Sequence, residues 1–274
     1  SLVAISGLLV AIMFGLVIGG GADPQQFSDP GPLIRYGNPI AKGLMNLAMA
    51  MAIGTLVLAA FAANDKSAVL RKLLNLSAIS AAAWVLIGSA HFLLSFISVS
   101  GASFSLEPSF SQGLLVYATE IELGISFGLN LLAALAIATL ALMVSSLTGT
   151  ALTAALGLAS LIPLALIGHA AGTENHSLAV NSLLMHLVGI VIWVGGLFAL
   201  FAIRPELQGN SKPMALRYSS LALASFALVA ISGIGSSYVR LPSFESLASP
   251  YGALLILKVG LLIALGVFGV IYRK

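Results

Sequence analysis

The sequence predicts an all-α fold: a polytopic transmembrane bundle of about eight helices with both termini in the cytoplasm. Three observations predict it. Of the 274 residues, 59% are hydrophobic and only 8% charged, against roughly one-quarter charged in an ordinary soluble domain. A globular enzyme of this length could not cover its surface with water-compatible side chains, and so much apolar content also excludes disorder. Apolar runs of about 20 residues, the length that crosses a hydrocarbon core, recur along the chain. These runs are continuous rather than alternating, which excludes a membrane β-barrel and leaves helices, whose backbone groups are satisfied internally.

The stretches run approximately over 2–20, 39–63, 70–98, 115–145, 150–171, 179–203, 214–238 and 251–272. The first is apolar and N-terminal like a signal peptide, but it has no basic lead-in. It reads as a retained helix of a chain whose true start is missing. The third and fourth exceed one bilayer thickness, so they tilt or carry an extra turn or short surface helix. Between the first and second, the segment GADPQQFSDPGPLIRYGNP is too rich in Pro and Gly to be helical throughout. Gly15 with Gly19, and Gly124 with Gly128, have the spacing of close helix crossings. Residues 1–274 read as a single domain, with no loop large enough to form a second one.

Basic residues orient the bundle. One set of loops holds Lys66, Arg71, Lys72, Arg204, Lys212, Arg217, Arg273 and Lys274, whereas the other side holds Arg35, Lys42, Arg240 and Lys258. The richer side is cytoplasmic by the positive-inside rule. The net charge of +3 therefore speaks to orientation and not to nucleic acid. Cysteine is absent, so neither disulfides nor thiolates enter the chemistry. With no phosphate loop and no zinc-protease or serine-hydrolase motif, no nucleotide is implied and the chain does not read as an enzyme.

The chemistry must come from four histidines. His91, His169, His176 and His186 all fall toward the outer side in this orientation. Met45 and Met49, four residues apart, share a face of the second stretch. Imidazole and thioether donors without thiolate favour copper over magnesium or calcium, as Cu(I) or Cu(II), with the thioethers tilting toward Cu(I). Each has an ordinary reading as well. A membrane histidine can hydrogen-bond a neighbouring helix, and methionine fills cores. Trp193 shares a stripe with Gly189 and His186, as a wall of the site or a packing residue. Glu120 and Glu122, at the outer start of the fourth stretch, are candidates to attract the ion at the entry. Lys258, about two turns inside the last stretch, snorkels outward or pairs with one of these carboxylates. Asn46, Asn75, Asn130 and Asn181 read as interhelical hydrogen-bonding groups.

The segments GHAAGTENHSLAVNSLLMHLVGIVIWVGGLFAL (168–200), LRYSSLALASFALVAISGIGSSYVRL (216–241) and YGALLILKVGLLIALGVFG (251–269) resemble the copper resistance D (CopD) membrane family. DPGPLIRYGNPIAKGLMNLAMAMAIGTLVLAA (29–60) resembles the N-terminal part of actinobacterial members, in which this unit is fused to a CtaG-like cytochrome oxidase assembly region. The resemblance implies a multi-pass protein of the cytoplasmic (inner) membrane in copper homeostasis, often regarded as a copper importer. It carries the family's histidine positions onto His169, His176 and His186. The partners it implies are the lipid bilayer, a periplasmic copper-binding protein or a respiratory oxidase, and a fused CtaG-like region beyond residue 274. Two further readings stand beside uptake. One is a non-transporting accessory or copper donor for oxidase assembly. The other is a b-type haem protein with His91 and His186 as axial ligands.

Overall fold

The computed structural model describes residues 2–21, 23, 29–167, 176–207, 212–240 and 244–272. Ten α-helices appear among them. They are α1 (Leu2–Ile18), α2 (Pro32–Ala62), α3 (Ala68–Ser100), α4 (Pro108–Glu120), α5 (Glu122–Met143), α6 (Leu147–Ala159), α7 (Leu161–Leu166), α8 (His176–Ala202), α9 (Lys212–Arg240) and α10 (Pro250–Tyr272). Seven spans are long and apolar enough to cross a membrane, with α6 and α7 acting as one. The 17 residues of α1 form a shorter apolar helix, about 26 Å long at 1.5 Å per residue.

Helix ends follow the local chemistry. Gly31, at φ 85, turns the chain into α2, and Pro32 occupies the first turn, where a missing N–H costs nothing. The Ser67 side chain accepts from the Leu70 N–H to cap α3, and Gly101 ends that helix in the left-handed conformation. The 115–145 stretch is not one helix. Backbone at Ile121 is extended (φ −94, ψ 122), and α4 folds back so that Gly124 lies directly against the Tyr117 carbonyl, where any side chain would collide. The surface helix expected beside an over-long stretch is thus α4. It packs on the end of α3 through Phe96–Phe110 and Phe92–Tyr117 ring contacts and a hydrogen bond from the Tyr117 hydroxyl to Ser95. Between α6 and α7 the helix breaks at Ser160. Pro163 cannot donate to the Ala159 carbonyl, and the adjacent Ser160 carbonyl accepts from Asn130.

The core is built around α2, the most buried of the spans. Against α3 it runs antiparallel: Asn38 meets His91, Met45 lies at Gly88, and the Ser77 hydroxyl donates to the Ala52 carbonyl. Against α8 it crosses at Gly54 and Gly195, whose backbones touch with no room for a Cβ on either. Membrane helices associate closely at small residues in this way. The glycine pairs singled out by spacing do not play that part, since Gly15 and Gly128 face open space. Outside this core, α9 packs on α8, and the apolar window of α10 has none of its residues buried.

The loops richest in basic residues gather at one end. Lys72 pairs with Glu206 at 3.0 Å, Arg217 donates to the Ala62 carbonyl, and the Leu147 N–H donates to Asp65. The neighbouring Lys72 ammonium holds the Glu206 carboxyl below the usual glutamate range. Lys258 lies exposed on α10, and the ion pairs seen among the described residues do not include it.

Candidate functional site

The α2–α3 seam carries a polar stripe through an apolar core. Asn38, Lys42, Met45 and Met49 recur on α2 at intervals of four, three and four residues, which puts them on one face. Facing them on α3 are Trp84, Gly88 and His91, again one helical face. Met45 and Met49 are 3% and 1% exposed, and His91 is 2% exposed. A Cβ added to Gly88 would sit 3.4 Å from the Met45 sulfur. The thioether therefore lies one turn of α3 away from the imidazole. The structure thus sets Met45 beside Gly88, one turn of α3 from His91, with Met49 a further turn along α2 against Asn130.

The His91 ring is fixed on two sides. Its Nδ1 lies 2.8 Å from the Asn38 Oδ1, and its plane meets Phe127 of α5 edge-on, with centroids 4.7 Å apart. A carbonyl oxygen only accepts, so Nδ1 carries the proton and donates. In a neutral imidazole the other nitrogen then holds the lone pair. That nitrogen, Nε2, is buried and has no hydrogen-bond partner. Leaving such a group unmet costs about 1–3 kcal/mol, and such cases are uncommon in native structures. A ligating histidine characteristically donates its second N–H to an oxygen acceptor, as His91 does to Asn38.

Deeper in the seam, Asn130 of α5 is 1% exposed and fully engaged. Its Oδ1 accepts from the Trp84 indole N–H at 3.1 Å, and its amide donates to the Ser160 carbonyl at 3.1 Å and to the Met49 sulfur at 3.9 Å. This knot closes the seam beneath Met49. Of the four asparagines considered, Asn130 joins helices, while Asn46, Asn75 and Asn181 are exposed.

The remaining candidates lie elsewhere. His186 faces α9, with its Nδ1 3.1 Å from the Ser232 hydroxyl. Gly189 packs on Val229 and Ser225 of the same helix, and Trp193 meets Phe226 edge-on. The expected stripe of His186, Gly189 and Trp193 exists, and it is the α8–α9 packing face. His91 and His186 thus open onto different seams, and the contacts of neither draw them together as axial ligands. His176 is exposed at the first residue of α8, and His169 lies outside the described residues. Glu120 and Glu122 flank the α4–α5 break and are exposed. Glu122 stands five residues before Phe127, about 8 Å along the axis of α5, and Glu120 lies across the break at the end of α4. A mainly apolar cleft of about 500 Å³ between α4 and the end of α3, lined by Phe96, Phe110 and Tyr117, offers no imidazole or thioether. Among the described residues, no three His, Cys, Asp or Glu side chains cluster to hold a metal.

Reasoning from the sequence missed Asn38, Phe127 and the partners of Asn130. The spacing of Asn38 from Met45 and Met49 was there to be read on a helical wheel, but its pairing with His91 depends on the register of two helices.

Apolar spans, basic loops gathered at one end and a buried imidazole beside thioethers define a multi-pass membrane protein with soft-metal donors. Residues 33–180, more than half of the chain, match the family described as copper resistance protein D-like, N-terminal domain, and residues 212–274 match copper resistance protein D. The chain belongs to the copper resistance D family and is a copper-related membrane protein. It is 31% identical over 118 residues to the copper transport protein CutJ of Bacillus subtilis (strain 168). That match covers 41% of this chain and 22% of the relative, so the chain spans about a fifth of the curated protein it matches. No solved structure matches it.

Proposed function

We propose that the protein takes up copper across the cytoplasmic membrane, entering at the end opposite the basic loops and passing along the α2–α3 seam. The observation that carries this reading is the alignment of His91, Met45 and Met49 on one buried seam of two membrane-length helices. Glu120, Glu122, His176 and the outer His169 and His186 would collect the ion, and His91 with Met45 would hold it. By the positive-inside rule the basic end faces the cytoplasm in this reading. A monovalent ion moving inward is then driven by about 2.3 kcal/mol per 100 mV of membrane potential. No catalytic role is proposed for any residue.

Proteoliposomes loaded with a luminal Cu(I) chelator test uptake. Copper should accumulate with wild-type protein and fall at least tenfold with Met45→Leu. Equal accumulation in protein-free liposomes would overturn transport.

A second reading has its own support. The Trp84–Asn130–Ser160 knot lies below Met49, and among the described residues the core beyond it carries one further buried thioether, Met214. A copper-holding accessory that hands the ion to a respiratory oxidase or a periplasmic carrier needs no through-path. It would bind copper in the same assay without accumulating it.

A further inference from the structure

The same seam says which ion it takes and how the ligand is prepared. Both buried thioethers are neutral donors, and His91 offers a neutral nitrogen because its proton is committed to Asn38. No carboxylate occupies the faces of α2 and α3 that carry these groups. Lys42, one turn from Asn38 on α2, is exposed and supplies no anionic ligand. A divalent ion would enter with no negative ligand to offset its charge. Sulfur and imidazole donors suit a soft monovalent ion.

We infer that Nε2 of His91 and the sulfur of Met45 form a site selective for Cu(I), with Ag(I) as its redox-inert equivalent, and that Asn38 is a positioning residue that fixes the histidine tautomer. The inference rests on the copper reading above and adds the oxidation state, the ligating atom and the role of Asn38. Without Asn38 the proton is free to move to Nε2, and the ligand atom is then blocked in a fraction of molecules. Outer-shell partners of this kind typically change metal affinity by 10–100-fold.

The test is Ag(I) titration of the purified full chain in detergent, read by calorimetry, together with nitrogen NMR of labelled histidine. Wild type should bind Ag(I) with a shift of the His91 Nε2 resonance, and equimolar Zn(II) or Cu(II) should not displace it. His91→Ala should abolish that shift and weaken binding at least 100-fold. Asn38→Ala should weaken binding 10–100-fold and show a mixture of tautomers before metal is added, while Asn38→Asp should restore both. Thermal melting of each variant separates lost binding from lost folding, and Met45→Leu, which preserves volume, should weaken binding without lowering the melting point appreciably. Unchanged Ag(I) affinity in folded His91→Ala, or displacement of Ag(I) by Zn(II), would overturn the site. If this site holds and liposomes still accumulate no copper, transport fails and the inference stands. If uptake survives in His91→Ala, transport stands and the inference fails.

Discussion

Replacing Asn130 with leucine isolates the energetic weight of the polar knot. Leucine is close to isosteric with asparagine, so the change leaves little cavity and acts mainly through hydrogen bonding. It strands two groups in an apolar interior: the Trp84 indole N–H and the Ser160 carbonyl, each now 3.1 Å from an Asn130 atom. An orphaned buried group costs about 1–3 kcal/mol, while interhelical hydrogen bonds in membranes average nearer 0.6 kcal/mol because the inserted, unassembled helices find other partners. Two stranded groups therefore give about 1–4 kcal/mol, and the Met49 sulfur contact adds little. Trp84→Phe removes one stranded group from the other side, so the double variant should be less destabilised than the sum of the singles. The assay is reversible unfolding in mixed detergent micelles, followed by the fluorescence of Trp84 and Trp193 in Asn130→Leu and by circular dichroism for the full cycle. Full additivity, or a loss below about 0.5 kcal/mol for Asn130→Leu, would refute the view that this asparagine ties α3, α5 and the α6–α7 break together.

Other consequences follow from separate features. Gly195→Val drives a branched side chain into the Ala50 carbonyl and Gly54, so the α2–α8 crossing should open and the folded yield should collapse, whereas Gly128→Ala, facing open space, should change melting little. Glu206 is depressed by Lys72, so its contribution is present above the unfolded glutamate range and lost as pH falls through the lowered folded value. A pH titration by NMR should place it below an ordinary glutamate, and Lys72→Ala should return it upward. His176 is exposed at the end of α8 away from the basic loops, so under the proposed uptake His176→Ala should slow copper capture at low concentration and leave saturated binding within about twofold.

The membrane-spanning character was legible because apolar length is a local property, readable run by run. The helix break at Ile121 was not, since Glu120 and Glu122 on either side are ordinary helix residues and the turn is set by Gly124 packing on the Tyr117 carbonyl. Pro163 marked the α6–α7 break in principle, but membrane helices tolerate proline when neighbours satisfy the freed backbone, and the side chain that meets this break, Asn130 on the Ser160 carbonyl, is 30 residues away. The same limit governs the site. The face shared by Met45 and Met49 follows from a 3.6-residue period, whereas the meeting of His91 with Asn38 requires an antiparallel register across 53 residues. Gly54 and Gly195 carry no spacing signature at all; only the path of two backbones distinguishes them from Gly15 and Gly128.

Copper X-ray absorption on the Cu(I)-loaded chain most directly tests copper binding in the α2–α3 seam. One imidazole nitrogen shell together with a sulfur shell is the expected spectrum, the sulfur diminishing in Met45→Leu and the imidazole signature vanishing in His91→Ala. A spectrum with oxygen and nitrogen scatterers alone, unchanged by either substitution, would contradict it.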